Sequence, residues 1–198
     1  MRIVVPLDRS EFGERAIPHA LGLIDGGTLA LVTAVDPMLE PTGGLPELET
    51  LMLSASQNYL DEVVAMLPDG VSVETHVLGR PVTAAISQFA EKFEADLIVM
   101  STHGRGPVSR FWLGSVADRL TRATPVPLYL VRPEKDGGRP DMSTAVPAPD
   151  KILIPVDGSD LSARAVEAVD LLGSTDDLEL HLLRISQMPV FMTSGYLP

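Results

Sequence analysis

The stretch "ADLIVM" (residues 95–100), running straight into "STHGRGPVSRFWLGS" (residues 101–115), is the part of this chain whose reading decides the fold. A short apolar run ended by small, hydroxyl-bearing and glycine residues reads as a buried strand that leaves its sheet through a tight loop. A helix is expected to follow, around Ser109 to Ala123. Between positions 101 and 122 four arginines (Arg105, Arg110, Arg119, Arg122) stand against one acid, Asp118, in a chain whose formal net charge is −12. A strand, a glycine loop and a helix in that order, with local positive charge, belong to open α/β sheets, where ligands bind outside the carboxyl ends of the strands.

The rest of the first 133 residues repeats the alternation. "RIVVPLD" (2–8) is a short β-branched run stopped by Pro6 and Asp8, and "FGERAIPHALGLI" (12–24) places Ala16, Ile17, Ala20, Leu21 and Ile24 at helical spacing behind a candidate cap, Ser10. "TLALVTAV" (28–35) is a second strand, followed by a turn-rich loop at 37–46. An amphipathic helix is expected from Glu47 to Leu67, with Leu51, Leu53, Leu60, Val63, Val64 and Leu67 as its apolar positions. A strand at 71–78, a helix over "VTAAISQFAEKF" (82–93) and the last strand in "VPLYLVRP" (126–133) complete the order β-α-β-α-β-α-β-α-β. Strands alternating with helices and apolar through both faces imply a five-stranded parallel open sheet covered on each side, with right-handed crossovers.

Residues 134–150, "EKDGGRPDMSTAVPAPD", are rich in Gly, Pro and charge and read as a linker. Beyond it, "KILIPVDGSDLSARAVEAVDLL" repeats "RIVVPLDRSEFGERAIPHALGL" at an offset of 149, so that Pro155, Asp157, Ser159, Arg164 and Ala165 match Pro6, Asp8, Ser10, Arg15 and Ala16. "LELHLL" (178–183) stands where "LALVTA" stood, and "SGYLP" (194–198) resembles "GGLP" (43–46). The expected organisation is a first domain at 1–133, the linker, and a partial second copy at 151–198. About 48 residues are too few to bury a core of their own, so this copy reads as part of a longer tandem protein or as a fragment docked on the first.

The acidic balance and a pI near 4.6 argue against general nucleic-acid binding, which needs a broad basic surface. The absence of cysteine excludes disulfides and thiolate metal sites, and the opening apolar run is too short for a signal sequence or a membrane span. The default reading is a soluble, cytoplasmic protein without membrane partners. His19, His76 and His181 show no metal spacing, and the methionines read as core or interface fillers. No Walker lysine motif and no nucleophile elbow are present, which argues against vigorous hydrolysis.

In the opening stretch, Gly104 and Gly106 let the main chain approach a ligand without Cβ interference, and the following helix start offers unpaired N–H groups to an anion. Arg105 and Arg110 would add charge-assisted bonds to phosphate. The same loop is also readable as a plain tight connection. Asp8 likewise has two readings, as a helix cap or as an acceptor for a ribose hydroxyl.

The pattern resembles the universal stress protein family, whose nucleotide-binding members carry Gly, two residues, Gly, nine residues, then Gly with Ser or Thr. Here Gly104, nine residues, Gly114 and Ser115 supply the later elements, while Ser101 holds the first position. "VVPLDRSE", "GRPVTAAI" and "VPLYLVRP" extend the likeness over about residues 1–133, and it resumes at 151. The resemblance implies a Rossmann-like, adenine nucleotide alpha hydrolase-like fold that binds ATP, with Mg2+ as a candidate companion. Carried over by position, Pro6, Leu7, Asp8 and Val35 would surround adenine and ribose. Ser101, His103, Gly104 and Arg105 would line the phosphates, and Gly114, Ser115 and Val116 would close the site. It further implies a homodimer or a pairing of tandem domains within one chain, and a regulatory role in stress response with at most slow ATP turnover. The alternative is a nucleotide-free module for dimerisation or partner docking.

Overall fold

The computed structural model describes residues 1–35, 46–102, 114–132, 138–172 and 178–185, and these form two compact units, Met1–Ala148 and Pro149–Pro198. In the first unit the strands are β1 (Arg2–Leu7), β2 (Thr28–Ala34), β3 (Ser72–Leu78), β4 (Leu97–Ser101) and β5 (Leu128–Val131), all pairing in parallel in the order β3-β2-β1-β4-β5. This is the five-stranded parallel sheet that the sequence predicts. Strands β1 and β4 are apolar and buried along their centres because helices cover both faces.

Where the sequence predicts one helix after β1, two form: α1 (Glu11–Glu14) and α2 (Ala16–Leu23), separated at Arg15. Pro18 is accommodated in the first turn of α2, where its missing N–H breaks no helical bond. Helix α3 (Pro46–Val64) buries Leu60 and Val63 completely but leaves Leu51 and Leu53 exposed, so only its second half serves the core. Helices α4 (Val82–Lys92) and α5 (Ser115–Ala123) follow β3 and β4.

Side-chain alternation sorts the sheet into two layers. Val4, Ala30, Val32, Ile98 and Met100 face Ile86, Ala90 and Phe93 at α4 and Ala117 and Leu120 on α5. The intervening residues Ile3, Val5, Leu7, Leu29, Leu31, Leu97 and Val99 are buried on the opposite face, where α1, α2 and α3 pack.

Residues 138–148, within the stretch whose composition reads as a linker, lie against the helices after β1. Met142 is buried, Val146 N–H donates to the Pro18 carbonyl at 2.8 Å, and Arg139 forms a two-pronged ion pair with buried Glu14.

The second unit contains β6 (Lys151–Pro155), α6 (Asp160–Glu167), a 3-10 turn (Ala168–Leu172) and β7 (Glu179–Leu183), with β6 and β7 paired in parallel. The turns after β1 and β6 share their hydrogen bonds. Ser10 and Ser159 both cap the helix that follows, accepting from the N–H of Gly13 and Ser162, and Asp8 and Asp157 each receive the N–H of the residue two positions on. Between them Arg9 and Gly158 both have positive φ, 64° and 91°.

Two outcomes are expected from this architecture. Leu120→Ala removes a fully buried side chain between α5 and the sheet and should cost about 2–5 kcal/mol in urea unfolding; a loss under about 1 kcal/mol would contradict the packing. The Asp157 carboxyl is held at about 2, below its ordinary 3.8, first by the Ser159 hydroxyl, then by the Ser159 amide, then by the Ser162 hydroxyl. A depressed folded-state value means that this turn contributes its stability above about pH 4 and loses it as pH falls through about 2. Carboxyl NMR should give that midpoint, and Ser159→Ala should raise it.

Candidate functional site

The site is set by topology. From β1 the chain proceeds outward to β2 and β3, then crosses back to β4 on the other side of β1, so the β1/β4 boundary is where strand order reverses. The pairing Ile3↔Leu97 and Val4↔Ile98 brings Leu7 level with Ser101 at the carboxyl ends. Pro6, Leu7 and Asp8 therefore meet Ser101 and Thr102 at the crevice. Val35 ends β2 nearby in the sheet, buried, with its N–H donating to the Leu78 carbonyl at 2.9 Å.

The turn after β1 is tightly specified. Asp8 Oδ1 accepts from Ser10 N–H at 3.1 Å and from the Ser10 hydroxyl at 2.6 Å, and Ser10 Oγ in turn accepts Gly13 N–H at 3.0 Å. Of the two readings of Asp8, the cap belongs to Ser10, and Asp8 braces the capping residue. A Cβ on Gly13 would stand 2.6 Å from Asp8 Oδ1, so glycine is needed for this close approach. Arg9 reaches the Ser56 hydroxyl on α3, while Ser56 donates to the Met52 carbonyl.

On β4, Ser101 is buried, and its Oγ has no hydrogen-bond partner among the described residues. Met100 packs in the α4/α5 layer, so alternation turns Ser101 toward the α1/α2 layer, the side on which Asp8 and Gly13 make their contact. Beyond Ser101, Thr102 N–H donates to the Val131 carbonyl at 2.8 Å, and Gly114 N–H donates back to the Thr102 carbonyl at 2.7 Å. Thr102 and Gly114 are thereby held together. Gly114 is the N-cap of α5 and makes no side-chain cap bond, so the first N–H groups of that helix lack the partner a Ser or Asp cap would supply. Ser115 is exposed at the helix start, whereas Val116 packs against the α4/α5 core. His103, Gly104, Arg105, Gly106 and Arg110 lie outside the described residues.

A polar group that sequence reasoning misses stands beside this crevice. Glu14 is buried at 3% exposure; the Tyr59 hydroxyl donates to its Oε1 at 3.0 Å, and Arg139 donates through Nε at 2.7 Å and Nη2 at 2.9 Å. Burial first, then the Glu14 charge and hydrogen bond, then the Asp8 charge push the Tyr59 hydroxyl well above its usual range. The hydrogen bond to Glu14 likewise holds the Arg139 guanidinium above its ordinary value. No periodicity or motif pairs positions 14, 59 and 139; a glutamate on an otherwise apolar helical face is the one signal in the sequence. Among the described residues no group of three His, Cys, Asp or Glu side chains could hold a metal ion, and no helix is long and apolar enough to cross a membrane.

Residues 1–132 match the family model described as "Universal stress protein family". A universal stress protein of Methanocaldococcus jannaschii is 33% identical over 141 residues, covering 68% of this chain and 83% of that protein. One from Thermus aquaticus is 34% identical over 134 residues, 66% of this chain and 97% of its own length. Among solved structures, a universal stress protein from Archaeoglobus fulgidus aligns with 94% of this chain and 67% of its own at 20% identity and a TM-score of 0.69, a likeness of fold. With the sheet order, the family model and these relatives in agreement, the chain belongs to the universal stress protein family.

Proposed function

We propose that the first unit binds an adenine nucleotide, ATP in the form the family resemblance implies, and that occupancy regulates the protein rather than feeding a rapid reaction. The observation that carries this reading is the buried Ser101 hydroxyl at the strand-order reversal, which has no hydrogen-bond partner among the described residues. Leaving such a group unpaired costs about 1–3 kcal/mol, and a ligand oxygen entering the crevice from the carboxyl ends would satisfy it. The start of α5 supports the same reading, because its N-cap is a glycine without a side-chain cap bond and the positive dipole end of the helix suits a phosphate.

In this proposal Pro6, Leu7, Asp8 and Val35 accommodate base and ribose. Ser101, His103, Gly104, Arg105, Gly106 and Arg110 take the phosphates, and Gly114, Ser115 and Val116 form the closing edge. Asp8 Oδ1 accepts both the amide and the hydroxyl of Ser10, which fixes the carboxylate at the end of β1. The residues present fit the group without a metal cage, and any Mg2+ would be held mainly by the phosphates themselves. The fold-level likeness spanning 94% of the chain supports reading the second unit as part of a tandem arrangement.

A second reading, a nucleotide-free docking or dimerisation module, draws on β5, which closes one edge of the sheet with Leu128, Tyr129 and Leu130 only half-buried. Isothermal calorimetry with ATP and Mg2+ separates the two: saturable one-site binding supports the nucleotide, and a flat trace at millimolar ATP favours the module.

Ser101→Ala gives the sharper outcome. It should stabilise the ligand-free protein by about 1–3 kcal/mol, because it deletes an unpaired buried hydroxyl. It should also weaken ATP about threefold to tenfold, the equivalent of one lost hydrogen bond. Unchanged affinity in this variant would remove Ser101 from the site.

A further inference from the structure

Residues 138–148 dock on the first unit through five separate contacts. Arg15 Nη2 donates to the Gly138 carbonyl at 3.3 Å, and Arg139 makes its two bonds to Glu14. Met142 is buried to 2% exposure, Val146 N–H donates to the Pro18 carbonyl at 2.8 Å, and the Val146 carbonyl lies directly on Gly22 of α2. That last contact is decisive: a Cβ at position 22 would stand 1.6 Å from the Val146 oxygen, so only glycine lets the segment lie there. Within the segment Asp141 accepts from Ser143 N–H, Ser143 Oγ and Thr144 Oγ1, fixing the bend between Arg139 and Val146.

The latch residue Glu14 is the last residue of α1, and the same four-residue helix presents Gly13 to Asp8 and to Ser10. A buried carboxylate that loses its guanidinium keeps its desolvation cost with only Tyr59 to offset it, and so draws α1 toward solvent. We infer that residues 138–148 are a latched strap whose docking, through Arg139 on Glu14 and Val146 on Gly22, positions the Asp8–Gly13 turn, so that strap and turn open and close as one unit. Its consequence for ligand affinity rests on the nucleotide reading above: if the turn forms one wall of that site, strap docking and nucleotide occupancy are linked and each strengthens the other. Arg139 then acts as a positioning residue without touching the ligand.

Hydrogen exchange on the full chain tests this, with Gly22→Ala and Arg139→Gln as the variants. Alanine is a better helix former than glycine, so Gly22→Ala removes the strap's seat without weakening α2 itself. Arg139→Gln removes the charge alone, and serves where the first variant fails to fold. In both, amides of 138–148 should exchange at least about tenfold faster than in the parent, and the Gly13 amide should accelerate with them. Calorimetry should show ATP weakened by about fivefold or more, with Arg139→Lys restoring part of the loss. Strap amides that stay protected in Gly22→Ala would overturn the docking. A released strap with an unchanged Gly13 amide would overturn the coupling, since a merely structural strap behaves that way. If the parent shows no heat with ATP while strap and turn still loosen together, the nucleotide reading falls and the strap inference stands.

Discussion

Strand β1 is hydrogen-bonded on both sides, to β2 from Arg2↔Thr28 through Leu7↔Thr33 and to β4 at Ile3↔Leu97 and Val4↔Ile98, and its centre, Ile3, Val4 and Val5, has no solvent exposure. Everything else in the first unit follows from that placement. A strand flanked on both sides by parallel neighbours needs helices on both faces, because each connection must cross over the sheet. One crossover has to change direction, and it does so across β1. The reversal leaves the carboxyl ends of β1 and β4 side by side without a helix passing between them, and Asp8 and Ser101 are there because their strands end there.

The turn that leaves β1 is itself a recurring solution. Its backbone needs a left-handed residue just before the capping serine, and the turns after β1 and β6 meet that need differently, with Arg9 in one and Gly158 in the other. Glycine adopts that conformation freely, whereas a residue with a Cβ is held there at a cost of order 1 kcal/mol or more. The turn after β1 sets against that cost the contact of the Arg9 guanidinium with the Ser56 hydroxyl of α3. The same motif thus stands on an open surface around Asp157 and under cover around Asp8.

Much of this was legible in the sequence because it is local. The strands at 2–8, 28–35, 71–78 and 95–100, the cap at Ser10 and the parallel class all follow from short-range pattern and composition. What escaped is long-range. The break at Arg15 between α1 and α2 answers to packing on β4 and the strap, which helical spacing at 12–24 cannot register. Leu51 and Leu53 satisfy an amphipathic pattern yet lie on the part of α3 that extends past the core. Composition reads 134–150 as a linker because Gly, Pro and charge are common to linkers and to irregular segments that pack; Glu14, Pro18 and Gly22, which residues 138–148 contact, are more than 100 positions away.

Among the described residues of the first unit three serines are buried, and comparing them isolates what is peculiar to the strand-order reversal. Ser56 donates to the Met52 carbonyl and receives Arg9, and Ser87 donates to Glu91 Oε1 at 3.2 Å on α4. Each offsets its own desolvation within the described residues. Ser101 does not, although alanine at that position would fill nearly the same space without an oxygen to strand. Glu14 poses the same question with a charge: an apolar residue would remove the need for Tyr59 and Arg139, since a buried ion pair is seldom more stabilising than well-packed apolar side chains. Neither residue is therefore explained by stability alone. Ser101 ends β4 beside the end of β1, and Glu14 directly follows the Gly13 that contacts Asp8, so these two polar costs converge on the place where the strand order reverses.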